Sequence, residues 1–385
     1  MSNSEARFTV DGPDEVEARI GVDQQRVASA VRAIVPQGAL VALVLAGGYG
    51  RGEGGYRRSG EHAVPYNDYD YFLVVDGLGR SALALLRRRL HELGEALGPE
   101  FGLEVDFAVF ESRRLRRLPA CLMYSELKWR QRTLLGDPDA LSALRSPPVL
   151  DLPLAEFSRM MLNRGALLLM NSEALASGAV TAADARERFL RYISKGVLAA
   201  GDARLAAERS YHPSTYERAR RVRDWCAQDR SRDGFAELYA VAVRIKQGGA
   251  VDLPADPTTL ANLQQRAVDA WLDAFRALES ARLGHDVADW GAYSAAAVPK
   301  GQGGTGLRRA WHVLLALRGG TGRAVRAGLS RLLRHPRERI IAALPLLLAT
   351  DPRPGLRAAR PLGLPSGTGR HALIEAFFAD WRRYC

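Results

Sequence analysis

The sequence has little cysteine, almost no lysine and no long apolar run. Its three cysteines, Cys121, Cys226 and Cys385, are far apart and odd in number. They supply neither a disulfide framework nor a metal-binding spacing, so a reducing compartment, the cytoplasm, is expected. Residues 1–7 are polar and lack the apolar core of a signal peptide. No stretch approaches the roughly eighteen apolar residues of a membrane span, and no repeat of fixed period is visible. Lysine occurs only at Lys128, Lys195, Lys246 and Lys300, against fifty arginines. The glycine-rich run at 299–306 lacks a closing Gly-Lys-[Ser/Thr] and a preceding strand, which excludes a Walker-type phosphate loop.

What is present is ordinary in bulk and uneven in distribution. A chain of 385 residues, 47% hydrophobic and 25% charged, can build two or three domains with normal cores. The net charge of +11 resides in residues 301–385, which hold fifteen Arg, no Lys and four acidic residues. Residues 1–300 are balanced, with 39 basic and 39 acidic side chains. A protein acting on long nucleic acid needs a basic stripe beside its active site, so this distribution argues against such a substrate.

The informative residues lie in the balanced part. Gly47-Gly48 follows the apolar run 41–45, which is ambiguous between a strand and a buried helix. Asp68 and Asp70 open the apolar run 72–75, and Asp106 opens 105–110. Side chains alternate along a strand, so Asp68 and Asp70 share a face. Two like charges on a buried strand raise each other's pKa, and a divalent cation removes that penalty. Carboxylate oxygens suit Mg²⁺. Three carboxylates from two strands can hold two ions that clamp the attacking and leaving oxygens of an in-line displacement; Glu104 is a reserve candidate on the Asp106 strand. The glycines allow backbone N–H groups close to a phosphate chain, and Arg51 can pair with a phosphate or an acidic substrate.

This ordered set resembles the DNA polymerase β-like nucleotidyltransferase superfamily: Gly47-Gly48, then Asp68-x-Asp70 on a strand, then Asp106 on a neighbouring strand. Arg51-Gly52 extends the likeness to the Gly-Ser-x-Ala-Arg-Gly form of smaller members. The match covers about residues 40 to 112. The resemblance implies a small mixed sheet flanked by helices, with Asp68 and Asp70 binding both metals. It implies that Asp106 binds one metal and helps deprotonate the attacking hydroxyl. Two departures stand out. Gly48 occupies a position where many members have Ser, and a polar loop, 54–62, lengthens the gap before Asp68. That loop is either part of an acceptor pocket or a solvated hairpin.

The rest of the chain reads as mostly helical, by apolar spacing of threes and fours. Helices are expected at 23–35, at 81–97 (ended by Gly98-Pro99), and at 157–170, 183–208, 235–247 and 258–284. Ser214 or Thr215 is suited to cap a helix between the second and third of those last four, and His212 reads as a loop residue. The Arg-rich stretch 112–118 reads as a solvated helix face. In the layout of the resembling family, Lys195 on the first long appended helix is the candidate for contacting a triphosphate. Residues 340–349 are apolar around Pro345 beside a basic segment. They form either a packed helix with its arginines in solvent or a surface for an acidic membrane or protein partner.

The expected architecture is α+β: a polar lead-in (1–20), a nucleotidyltransferase domain with a small mixed sheet (21–150), a helical bundle (151–298), a glycine-rich linker (299–306) and an Arg-rich, largely helical C-terminal region (307–385). The expected activity is transfer of a nucleoside monophosphate from a triphosphate, ATP foremost, to a hydroxyl acceptor on a small molecule or protein. Two Mg²⁺, or Mn²⁺, would assist. Synthesis of a cyclic-oligonucleotide messenger and a non-catalytic nucleotide-binding, docking role are the alternatives.

Overall fold

A computed structural model of the protein describes residues 7–59, 62–249, 256–296, 336–349 and 354–385, with the single positions 300, 311 and 314. The glycine-rich linker and the Arg-rich segment at 308–334 lie outside the described residues apart from those single positions. The fold is α+β, and the chain divides into two compact units. The first comprises residues 1–152, 212–220 and 243–251; the second comprises 153–211, 221–242 and 252–385.

The first unit begins with α1 (Asp14–Ile34). It starts inside the stretch read as a polar lead-in, because Asp14, Glu15 and Glu17 suit the positive end of the helix dipole. Val16 and Ile20 carry the apolar stripe of Val27 and Val31 about three turns further back. Next come β1 (Leu40–Leu45), the short α2 (Gly47–Arg51), β2 (Tyr56–Ser59), β3 (His62–Pro65), β4 (Tyr69–Val75), α3 (Arg80–Phe101), β5 (Val105–Glu111), α4 (Ser112–Leu115), α5 (Leu122–Trp129) and β6 (Arg132–Gly136).

The run 41–45 is thus a strand, and the stretch read as a loop at 54–62 holds β2 and the start of its antiparallel partner β3. In α3 the helix continues past Pro99, where an end was expected. Proline so near a C-terminus forfeits a single hydrogen bond, and the extra turn packs Phe101 edge-on against Tyr69, with centroids 6.0 Å apart. In α4, Arg113 and Arg114 reach back to the buried Glu111.

Four strands form one mixed sheet in the order β5-β4-β1-β6. Strands β4 and β5 are parallel, joined through α3. Strand β1 is antiparallel to both β4 and β6. Alternation sorts the strand residues onto two faces. Leu43, Leu45, Tyr69, Tyr71, Leu73 and Val75 share a core with α1 and α3. Ala42, Val44, Phe72 and Val74 share a smaller core with Leu115, Leu127, Leu141 and Leu144. Each large apolar side chain fully buried this way contributes about 2 kcal/mol, which fixes the register of every strand and the face of each polar residue.

In the second unit, α6 (Leu154–Ala176), α7 (Ala183–Ala207) and α10 (Pro257–Leu283) pack together. Gly165 and Gly196 let them approach closely, facing the Trp271 ring and Leu168. Between α7 and α10 run α8 (Thr215–Cys226) and α9 (Asp233–Lys246), followed after α10 by α11 (Trp290–Ala295), α12 (Arg337–Leu348), α13 (Pro354–Leu362) and α14 (Arg370–Tyr384). The apolar stretch around Pro345 is a buried helix. Arg339 on it, expected in solvent, is buried instead, 3.6 Å from the equally buried Asp380. Glu279, fully buried, takes hydrogen bonds from Ser158, Arg282 and Tyr293. No helix among the described residues is long and apolar enough to cross a membrane.

Candidate functional site

Asp70 and Asp106 are register partners on the parallel strands β4 and β5. Their strand neighbours on the same side, Phe72 and Val74 on β4 and Ala108 and Phe110 on β5, belong to the smaller core. Phe72 and Phe110 stack there with centroids 5.3 Å apart. Asp70 and Asp106 therefore stand on that face, at the end of the sheet where both strands start. Asp68, one residue before β4, lies at the same end of the sheet. Asp68 and Asp70 are half-buried and Asp106 is exposed. Strand β1 runs the other way, with Leu45 opposite Tyr71, so the double glycine after β1 arrives at this same end.

The two halves of the motif meet at Asp70. The backbone N–H of Ala46 bonds the Asp70 carbonyl at 2.8 Å. A Cβ added to Gly47 would lie 2.4 Å from Asp70 Oδ2, and Gly47 has φ +62°. Glycine is needed there on both counts. The Asp70 carboxylate thus lies against the glycine turn at the start of α2.

Among the described residues, no group of three or more His, Cys, Asp and Glu side chains is gathered tightly enough to hold a metal ion. The donor chemistry nevertheless suits a hard divalent cation: the carboxylates of Asp68, Asp70 and Asp106 come to one end of the sheet, none of them fully buried. Glu104, also exposed, precedes β5, and its carbonyl accepts from Tyr69 N–H at 2.9 Å.

Arg51 points inward. Its side chain is nearly buried, with Nε 3.6 Å from Glu53 and Nη1 3.9 Å from Glu126. Glu53 in turn accepts from the Ser214 hydroxyl and from Thr215 N–H, the latter at 3.0 Å. Ser214 caps α8 by accepting from Glu217 N–H at 3.2 Å. Arg218, also buried, sits 3.4 Å from Glu126. Lys246 Nζ donates to Thr215 Oγ1 at 3.1 Å, and its carbonyl accepts from Asn67 Nδ2 at 3.0 Å. His212 is a loop residue, its Nδ1 accepting from Ser214 N–H at 3.1 Å.

The first unit therefore assembles Gly47, Gly48, Arg51, Asp68, Asp70 and Asp106, while Lys195 sits half-buried on α7 in the second unit. Two segments distant in sequence, 212–220 and 243–251, join the first unit and bring Ser214, Arg218 and Lys246 with them. Ser214 is marked locally as a helix cap, but nothing local marks Arg218. Only the rarity of lysine set Lys246 apart.

Compared with known proteins, the chain matched no family model, no curated protein and no solved structure.

Proposed function

We propose that the protein is a metal-dependent nucleotidyltransferase of the polymerase β-like kind. The observation that carries this reading is the pairing of Asp70 and Asp106 on one face of one sheet end, with Asp68 just before the same strand and the Gly47-Gly48 turn against Asp70. Neighbouring carboxylates repel, and a bound cation offsets that cost.

The residues divide the work. Backbone N–H groups of Gly47 and Gly48 receive phosphate oxygens of the nucleoside triphosphate. Asp68, Asp70 and Asp106 hold Mg²⁺, which when bound neutralises phosphate charge and lowers the pKa of an attacking hydroxyl. The acceptor oxygen bonds to the α-phosphorus, the bond to the bridging oxygen breaks, and pyrophosphate leaves. Asp106, the most exposed of the three, takes the acceptor's proton. Arg51 orders the turn through Glu53 and Glu126. Lys246 adds positive charge to the same unit, and Lys195 enters only through the layout of the resembling family. The acceptor is a hydroxyl of a small molecule or protein, ATP is the first nucleotide to test, and the cytoplasm is the expected compartment.

A pyrophosphate-release assay with Mg²⁺ across the four common triphosphates, with and without a panel of metabolites, tests the reading. Release that requires an acceptor supports transfer. Product from triphosphate alone points to messenger synthesis. Absence of triphosphate binding contradicts both and leaves a docking role, for which the basic C-terminal region is the candidate surface.

A further inference from the structure

Tyr49 lies between Gly48 and Gly50, fully buried, and its hydroxyl is saturated with backbone bonds. It donates to Gly55 O at 2.7 Å and accepts from Tyr66 N–H at 2.9 Å and Asn67 N–H at 3.2 Å. One donor and two acceptors are all a phenol offers. The ring is held as firmly: a Cβ at Gly54 would lie 2.0 Å from it, and the Tyr69 ring meets its edge at 5.0 Å. Burial pushes the phenol up to about 12, against the lowering effect of the two N–H donors, so it stays neutral and able to donate.

The consequence concerns Asp68. On its far side the chain is fixed by Tyr69 N–H to Glu104 O at 2.9 Å. On its near side, residues 66–67 are tied to Tyr49, with Asn67 Oδ1 also accepting from Gly55 N–H at 2.5 Å. Asp70 is held by strand pairing and does not depend on this arrangement. Asp68, outside the strand, does.

We infer that Tyr49 is the positioning residue for Asp68, fixing its carboxylate relative to Asp70 and to the glycine turn from which Tyr49 itself projects. The inference rests on the metal-dependent reading above. One side chain thereby links the phosphate-facing turn to the metal-facing loop. Sites of this kind tolerate displacements of only about 0.5 Å, so loosening residues 66–67 weakens metal binding without unfolding the sheet.

The test is Mn²⁺ binding followed by electron paramagnetic resonance on the full-length wild type and on Tyr49→Phe, Asp68→Asn and Tyr71→Phe, with thermal unfolding in parallel. Tyr71 is an equally buried tyrosine whose hydroxyl bonds Gln24 on α1 at 2.8 Å. The expected result is Mn²⁺ binding by the wild type, retained within about twofold in Tyr71→Phe, weakened about tenfold in Tyr49→Phe, and lost in Asp68→Asn. Should Tyr49→Phe fail to fold, Asn67→Ala loosens the same residues from the other side and should show the same weakening. Wild-type affinity in a folded Tyr49→Phe, or in Asn67→Ala when it stands in, overturns the inference while leaving the metal reading intact. Equal weakening in Tyr71→Phe overturns it too, by showing general loosening. No Mn²⁺ binding by the wild type overturns the metal reading itself, and this inference with it.

Discussion

Asp70 and Asp106 stand side by side on adjacent parallel strands, as register partners facing the same way. Adjacent strands lie about 4.8 Å apart, and like charges on directly paired residues are unfavourable to each other.

Asp70→Asn and Asp106→Asn should accordingly cut pyrophosphate release by on the order of a hundredfold or more. Stability should hold or rise slightly, by up to about 1 kcal/mol, as the repulsion is relieved. Urea midpoints and turnover measured on the same preparations check both. Comparable loss of stability and of activity would argue for a structural role.

Gly47→Ala should be harmful for two separable reasons. The backbone has φ +62°, and the new Cβ would clash with Asp70 Oδ2 at 2.4 Å. Gly77→Ala shares the strain, at φ +71°, with open space around its Cβ. Both should lose about 1–2 kcal/mol, but only Gly47→Ala should also lose turnover. Equal turnover in the two variants would detach the turn from the site.

Glu53 joins Arg51 to the start of α8. Ser214→Ala removes a helix cap and should cost about 1 kcal/mol. Glu53→Ala leaves Arg51 with Glu126 alone, 3.9 Å away, and should cost about 3 kcal/mol. The double variant should lose less than the two combined, because both single changes delete the same bond. Chemical denaturation of the three variants decides it.

Asp23 supplies a pH signature. Burial lifts its carboxyl above the ordinary 3.8, outweighing the lowering by Arg19 and Tyr69. The folded state thus keeps this proton where the unfolded chain has released it. Its stabilising contribution is complete below pH 3.8 and disappears as pH rises through the lifted value. Asp23→Asn has no such proton. From pH 4 to 7 the wild type should therefore lose stability relative to Asp23→Asn. Parallel pH–stability curves would contradict the assignment.

How far the sequence reached can be seen at particular residues. The continuous apolar run at 72–75 marks a strand buried on both faces, and the spacing of Leu83, Leu86 and Leu90 marks the buried face of a helix, so the sheet and its crossover helix were legible. The start of α1 was not, because charged residues of its first turn look like a polar leader. The buried Arg339 was not, since its partner Asp380 lies forty-one positions away. At the candidate site, Asp70 and Asp106 lie on strands as expected, whereas Asp68 lies one residue before β4 and Gly47-Gly48 open the short helix α2. Arg51 was read as facing a phosphate, whereas its nearest charges are Glu53 and Glu126. The contributions of Ser214, Arg218 and Lys246 depend on chain segments meeting in space, and no local pattern records that.

The most direct test of the central claim is calorimetric titration of ATP into the protein with and without Mg²⁺, repeated on an Asp68→Asn, Asp70→Asn double variant. The account predicts binding that requires Mg²⁺ and is lost in the double variant, with the fold retained by circular dichroism. Undiminished Mg²⁺-dependent binding by the folded double variant, or no binding of any triphosphate by the wild type, would contradict it.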